Sequence, residues 1–441
     1  MRKKILFKRV LLVNPPFYSK FIRETRCQHK VSKIHAIFHP LTLLYTATLL
    51  EEKDVSVKIF DFNVENRKEF PKILRTFKPE LIISTTSTPT IEQDLCFLHK
   101  VKKESKVKIA ITSVHSTYFY KQILKKNPFI DYILLYEPEK PASELCSGKQ
   151  IDKIKGLAYR NKGIIKANNV RNPLDLSKIK IPSWQLLKLN RYKVPIINEP
   201  YAIIQTGRGC PFNCDFCVVP FYFGSKVRKR KVEDVIAEIK YLKKKGIKFF
   251  YFFDETFNDD NKFVIKLLKK VIKLNINYVC NSRLDLITEE QAKLFSSSGA
   301  FFVGVGIESF NDLSLKRMNK RESQKTLIEK IQLLKRYRVP IFGHFIIGYD
   351  SNPIKDAMTS VKLGLTFANF YTLSPFPGSR VYERIKPKKV EFSKVNFEDF
   401  GGIKEKIEKR LATLFFYSNP LVILRASKLF LRYFLFRKFR K

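Results

Sequence analysis

The segment Gly207-Arg208-Gly209-Cys210-Pro211-Phe212-Asn213-Cys214-Asp215-Phe216-Cys217 puts three cysteines on one loop, spaced C-x3-C-x2-C, with an aromatic residue directly before the last. Three thiolates from one loop can hold three irons of a cubane [4Fe–4S] cluster, which ordinarily takes four cysteines, and the fourth iron is then open to bind something else. Zinc is the alternative, but a structural zinc site wants four closed ligands and no other Cys or His lies nearby. Further groups able to do chemistry follow at intervals: the adjacent carboxylates Asp254 and Glu255, Arg283, Glu308 at the end of Gly304-Val305-Gly306-Ile307-Glu308, and His344 and Gly348 in Phe342-Gly343-His344-Phe345-Ile346-Ile347-Gly348.

Each of these sits at the end of a strand in a repeating series. Strands are expected at 202–206, 249–253, 277–281, 302–307, 341–347 and 370–374, with helices at 232–245, 262–275, 288–297, 324–336 and 352–365 between them. Six strand–helix repeats suggest a (βα)6-type partial barrel over residues 199–385, in which chemistry collects at the C-terminal strand ends. Upstream, strands at 10–14, 55–60, 81–85, 108–112 and 132–135 alternate with helices at 41–53, 65–77, 91–104 and 118–125. That pattern gives a parallel, doubly wound Rossmann-like domain over residues 1–150. Residues 151–198, with Pro173, Pro182 and Pro195 and little periodicity, read as a linker, and 386–441 as a basic helical tail. The fold class is α/β.

At the cysteine loop the sequence resembles the radical S-adenosylmethionine (SAM) superfamily, whose defining motif is C-x3-C-x-aromatic-C after barrel strand one. The resemblance implies that Cys210, Cys214 and Cys217 ligate the cluster, that SAM chelates its open iron, and that one-electron reduction yields a 5′-deoxyadenosyl radical, the electron coming from a donor such as ferredoxin or flavodoxin. It also implies that Asp254 and Glu255 receive the SAM amine and Glu308 its ribose, and that glycines such as Gly348 let backbone approach the adenine; Arg283, whose guanidinium fork matches a carboxylate, is the candidate for the SAM carboxylate. Read from the residues alone, Asp254 or Glu255 is equally a charge at a helix N-terminus, Arg283 a surface ion pair, His344 a core histidine and Pro375-Phe376-Pro377-Gly378-Ser379 a turn.

A Rossmann-like domain ahead of such a barrel resembles the B12-binding-domain branch of that superfamily. Matching features are Leu11-Leu12-Val13-Asn14-Pro15-Pro16, the helix from Pro40, the strand end at Asp61, Asn127-Pro128-Phe129-Ile130-Asp131-Tyr132 and Ile181-Pro182-Ser183-Trp184. The implied cofactor is cobalamin, bound without a lower-axial histidine, and the implied reaction is modification of an unactivated carbon, including methylation of a lipid or natural product. The chain departs from the branch where Gly-Gly-Pro-His is usual and Thr112-Ser113-Val114-His115 stands, and where Gly-Glu-Gly-Glu is common and Tyr136-Glu137-Pro138-Glu139 stands. Glycines there would let backbone approach a large flat ligand closely.

Composition bounds the rest. The 441 residues carry a net charge of +43 with 44% hydrophobic and 13% aromatic residues, which supplies large cores and excludes general disorder. Seven cysteines argue against a secreted disulfide scaffold and suit a reducing cytoplasm. Cys96, Cys146 and Cys280 read as buried thiols rather than a second cluster. The start Met1-Arg2-Lys3-Lys4 is too charged for a signal peptide. The charge excess fits nucleic acid, anionic lipid or a bias toward lysine, and Lys226-Val227-Arg228-Lys229-Arg230-Lys231 is its densest cluster. A tRNA-modifying enzyme is therefore one alternative, and a non-enzymatic iron–sulfur or zinc protein another. From Lys404 onward eleven Lys/Arg stand against two Glu, in a stretch that suits either a basic amphipathic helix on an anionic membrane surface or a helix docked on the barrel.

Overall fold

The computed structural model describes every residue except 1–4, 26, 32–35, 171, 180, 386–400 and 439–441, with side chains of 436–438 also left out. The expectation for Met1–Lys4 and the first part of the tail thus lie outside the described residues. The chain divides into two compact units, one of residues 1–202, 217–224 and 376–396 and one of residues 203–216, 225–375 and 397–441.

The first unit runs β1 (Arg9–Asn14), β2 (Phe21–Glu24), β3 (Cys27–Lys30), α1 (Leu41–Glu51), β4 (Ser56–Asp61), α2 (Glu69–Phe77), β5 (Leu81–Thr85), α3 (Ile91–Ser105), β6 (Lys108–Thr112), α4 (Val114–Tyr118), α5 (Tyr120–Lys126), β7 (Tyr132–Leu134), α6 (Glu139–Cys146), β8 (Leu157–Asn161) and β9 (Ile164–Ala167). Its sheet has the order β4-β1-β5-β6-β7-β8-β9, parallel through β7 and antiparallel beyond. The central strands bury nearly every residue because helices cover both faces, and Leu11, Val13, Ile82, Ile109, Ile111 and Ile133 form the core between them. Strand order reverses between β1 and β5, the switch point where open α/β sheets hold ligands at their C-terminal edge.

Two features of this unit depart from expectation. The sheet continues past residue 150, because Leu157, Ala158 and Tyr159 are buried on β8 and the turn at Lys162-Gly163, both with positive φ, folds β9 back beside it. Part of the expected linker is therefore sheet, and the remainder wraps Trp184 and Tyr192 around His39, whose ring stacks on Tyr192 at 4.0 Å. Cys96 is exposed rather than buried, since the inward stripe of α3 is Ile91, Asp94, Leu98 and Val101; Cys146 and Cys280 are buried.

The second unit's elements are β10 (Tyr201–Ile204), β11 (Gly207–Arg208), α7 (Val219–Phe223, grouped with the first unit), β12 (Arg228–Lys229), α8 (Val232–Lys244), β13 (Phe249–Phe252), α9 (Asn261–Ile272), β14 (Asn277–Ser282), α10 (Glu289–Ser297), β15 (Ala300–Glu308), α11 (Asp312–Arg317), α12 (Gln324–Arg336), β16 (Ile341–Ile347), α13 (Pro353–Leu363), β17 (Phe367–Thr372), α14 (Arg380–Ile385, also with the first unit), α15 (Ile403–Tyr417) and α16 (Pro420–Lys438). Six strands form one sheet in the order β10-β13-β14-β15-β16-β17, which follows the sequence, with β13 to β17 paired in parallel. Several helices start at a side-chain cap just after a strand ends: Asp260 accepts from Phe263 N, Thr288 from Gln291 N, Asn311 from Leu313 N and Ser314 N, and Asn352 from Lys355 N. These caps fix where each strand-end loop must turn. The cysteine loop, Asp254, Glu255, Arg283, Glu308 and Gly348 therefore share one edge of this sheet, whereas His344 lies in the middle of β16.

Candidate functional site

The cysteine loop leaves β10 and is braced from four later strand ends. At its base β11 pairs antiparallel with β12. Gly207 packs closely there, where a Cβ would stand 2.6 Å from Lys229 Cδ and 3.0 Å from Arg228 O. Lys229 bridges Asp254 at 3.2 Å and Asp259 at 2.6 Å, and Arg230 is buried against Glu238. The densest basic cluster in the sequence thus spends its central charges inside the protein, and only Lys226 and Lys231 in it are exposed.

After β13, Asp254 accepts from Thr206 N at 2.6 Å, Gly207 N at 3.1 Å and the Thr206 hydroxyl. Asp254 is the anchor of the loop's first turn. Its neighbour Glu255 is buried at the same edge, and the Thr256 hydroxyl lies 3.7 Å from Cys210 Sγ. After β14, the Arg283 guanidinium stacks over Phe212 at 3.7 Å, reaches Cys214 Sγ at 4.0 Å, and pairs with Asp285 at 3.0 Å and Glu322 at 2.5 Å. Two carboxylates meet its charge, and the guanidinium grips the cysteine loop through Phe212.

Glu308, the last residue of β15, has φ +64°, a left-handed conformation that costs energy outside glycine. Its Oε1 lies 3.5 Å from Lys320 Nζ, which is also 3.8 Å from Glu322. A Cβ on Gly306 would stand 2.5 Å from Glu308 Oε1 and 3.1 Å from Lys320 Nζ, so the glycine is the space through which that pair forms. Burial opposes the Lys320 charge, but Glu308 and Glu322 outweigh it and hold its pKa above the usual lysine value. Lys320, Glu322 and Asp285 were absent from the sequence reading: a charged stretch such as Asn319-Lys320-Arg321-Glu322 looks solvated, and only its burial reveals it.

The other end of the loop is fixed as firmly. Asp215 donates its N–H to Met318 O at 2.9 Å and accepts from the Tyr349 hydroxyl at 2.7 Å, while Asn319 Nδ2 donates to Asn213 O at 2.7 Å. Gly348, just before Tyr349, has φ +126° and sits against Leu373. His344 is half-buried on β16, stacked on Phe342 and 3.5 Å from the Tyr371 hydroxyl. Cys210 and Cys214 are buried and Cys217 half-buried. Burial raises the Cys214 thiol pKa, and Lys320 and Arg283 pull it back down. Among the described residues no three His, Cys, Asp or Glu close on a single ion.

The first unit carries its own polar edge. Arg23, from the β2–β3 hairpin, is buried in an ion pair with Asp94 at 2.8 Å and also donates to Asn14 Oδ1 at 3.1 Å, which fills the switch point between β1 and β5. Beyond it, at the ends of β5 and β6, lies a buried run of small hydroxyl residues: Ser84 to Thr88, Thr90, Thr112, Ser116 and Thr117. The Thr112 hydroxyl has no hydrogen-bond partner among the described residues. His115 beside it is pushed down to a pKa of about 3 by burial and is neutral. Tyr136 has φ +58°, so the backbone keeps a glycine-like conformation where glycine itself is missing.

Against known proteins, residues 204–363 match the Radical SAM superfamily and residues 30–146 the B12 binding domain. An uncharacterized methyltransferase of Pyrococcus horikoshii is 28% identical across 95% of this chain and 94% of its own. The anaerobic magnesium-protoporphyrin IX monomethyl ester cyclase of Rubrivivax gelatinosus is 26% identical across 88% and 72%. Among solved structures, the radical SAM methyltransferase TsrM of Kitasatospora setae, with tryptophan and a SAM analogue bound, has a TM-score of 0.70 at 17% identity over 86% of this chain and 76% of that one. The residues present fit the groups these domains imply. Three thiols on a braced loop suit a cubane with one open iron, and an unpartnered buried hydroxyl in a small-residue strand edge suits a ligand that supplies its partner.

Proposed function

We propose, since the chain is a radical SAM enzyme carrying a B12-binding domain, that it is a cobalamin-dependent methyltransferase acting on an unactivated carbon of a small-molecule or lipid substrate. The observation that carries this reading is the presence, in one chain, of a braced three-cysteine loop at the C-terminal edge of a six-stranded parallel sheet and a B12-type sheet with an unpartnered hydroxyl at the same kind of edge. The match along almost its whole length to a protein called a methyltransferase supports methyl transfer over other outcomes.

Cys210, Cys214 and Cys217 would hold the cluster, Glu255 and Glu308 line the edge at which SAM would bind, and the ends of β5 and β6 would receive cobalamin. When bound, these groups supply reductive cleavage of SAM and a methyl carrier. The protein's own part is positional. Asp254, Arg283, Tyr349 and Asn319 immobilise the loop from four sides, so cluster geometry need not be recovered from a floppy chain at each turnover. Burial of Cys210, Cys214 and Glu308 keeps water from the reacting edge. The internal use of Lys229 and Arg230 leaves little of the basic cluster for RNA, which supports a small-molecule or lipid substrate over a tRNA. A ferredoxin or flavodoxin would supply the electron.

The test is anaerobic reconstitution with iron, sulfide and cobalamin, followed by turnover with SAM bearing a deuterated methyl group and a panel of lipid and small-molecule extracts. Label in a carbon-bound methyl group of one product, formed together with 5′-deoxyadenosine, is the expected result. The match to a cyclase favours a second reading, radical conversion without methyl transfer; deoxyadenosine with no labelled product would select it.

A further inference from the structure

The exposed large hydrophobic side chains are unevenly distributed: twelve of the twenty-two among the described residues lie between Ile403 and Leu435. On α15 they fall at Ile403, Ile407, Leu411 and Leu414, one stripe of a 3.6-residue period, opposite buried Ala412 and Phe416. On α16, Leu424, Leu431 and Leu435 recur at seven and four residues and lie opposite buried Val422 and Tyr433. Each helix is thus apolar on two opposite sides, one used and one bare.

The inner sides are firmly seated on the barrel unit. The Tyr417 hydroxyl donates to Ala368 O at 2.8 Å, and Arg425 donates to Val361 O at 3.1 Å and Leu365 O at 3.3 Å, so that it caps the C-terminal end of α13. Tyr433 packs edge-on to Phe301 and Phe249, with ring centroids 5.6 and 6.2 Å apart. Phe249 and Phe301 start β13 and β15, so α16 covers the N-terminal edge of the sheet, the edge opposite the cysteine loop. The docked helix expected from the sequence is therefore present, and its outer side remains to be accounted for.

The charge around the bare sides selects what covers them. Lys404, Lys406 and Arg410 flank the α15 stripe, and Lys428 and Arg432 the α16 stripe; from Ile403 to Leu435 seven Lys/Arg stand against two Glu. A second copy laid against this face would bring like charges together in a chain of net charge +43. An anionic bilayer takes both the aliphatic stripes and the cations, whereas a purely polar anion would leave the leucines in water. We infer that α15 and α16 form an interfacial platform that lays its outer leucine and isoleucine stripes into an anionic lipid surface, with the flanking lysines and arginines at headgroup level. No helix among the described residues is long and apolar enough to cross a membrane, so the contact is with the surface. Because the platform covers the edge away from the cysteine loop, the inference stands whatever the substrate proves to be.

The test is co-sedimentation of the full chain, purified anaerobically, with vesicles of equal parts phosphatidylglycerol and phosphatidylcholine and with vesicles of phosphatidylcholine alone. The expected result is binding to the anionic vesicles at least about tenfold stronger than to the neutral ones, and its loss at about 1 M salt. A Leu424→Glu/Leu431→Glu double variant, with melting temperature and iron content checked against the parent, should bind about tenfold or more weakly. Equal binding to both vesicle types, equal binding by the parent and the folded variant, or a parent that is dimeric, indifferent to vesicles and made monomeric by the double variant would each overturn the inference.

Discussion

At the C-terminal edge of the first sheet, a buried ion pair fills the ligand crevice: Arg23 and Asp94 sit at the β1/β5 switch point and draw in Asn14, Thr85 and Thr90. At the same edge of the second sheet, buried charge surrounds a loop without occupying its place: Asp254 holds the backbone at Thr206 and Gly207, Arg283 lies over the Phe212 ring, and Asp285, Glu322, Lys320 and Glu308 stand behind Arg283. Desolvated charge costs stability in both places and is repaid only when every partner is present. In one unit the return is a switch point closed by its own side chains. In the other it is a rigid cradle.

The largest effect that sharpens this contrast is Cys214→Ala, which should abolish iron uptake and SAM cleavage while corrinoid binding by the first unit is retained; unchanged iron content would break the assignment. Next come Arg23→Met and Arg283→Met. Each leaves a buried carboxylate short of its cation and should cost about 3–5 kcal/mol in denaturant unfolding. Only the second should also lower the iron retained after reconstitution, because Arg283 alone touches the cysteine loop. Equal iron loss in both would erase the distinction between filling and bracing.

A smaller effect is pH-dependent and belongs to the first unit. Burial pushes His39 down to a pKa of about 3, and neither ring nitrogen has a hydrogen-bond partner among the described residues. Below the ordinary value of about 6.5 the unfolded chain binds a proton that folded His39 refuses, so stability falls as pH drops from about 6.5 toward 3, at about 1.4 kcal/mol per pH unit. Asp61, raised by burial to about 6, acts in the opposite sense and loses its contribution as pH rises through that value. The difference between parent and His39→Phe isolates the histidine: the variant should be more stable relative to the parent at pH 5 than at pH 7.5, and a pH-independent difference would count against a buried neutral imidazole. Smallest is Thr112→Val, which should weaken corrinoid binding by about tenfold with no loss of thermal stability, since a hydroxyl without a protein partner contributes nothing to the empty fold.

Much of this was legible in the residues. The three-cysteine spacing is local, and no fold is needed to place those thiols on one loop. The long strand–helix alternation was legible because parallel strands are hydrophobic throughout and their helices are strongly periodic. The β2–β3 and β8–β9 hairpins were not, because each strand is only four or five residues long and interrupted by charge. Burial of charge was the least legible property. Lys226–Lys231 reads as a solvated basic patch, and Lys320 and Glu322 as an unremarkable loop, until Asp254, Asp259 and Arg283 from other strand-end loops, and Glu238 from the following helix, appear beside them. Arg283 itself was found by sequence position, but its partners, which decide what it does, were not.

The most direct measurement is a single anaerobic reconstitution in which iron, sulfide, bound corrinoid and 5′-deoxyadenosine formed on reduction with SAM are quantified in the same sample. The account predicts about four irons per chain, stoichiometric corrinoid and SAM-dependent deoxyadenosine. A cluster-loaded protein that retains no corrinoid and forms no deoxyadenosine would contradict it.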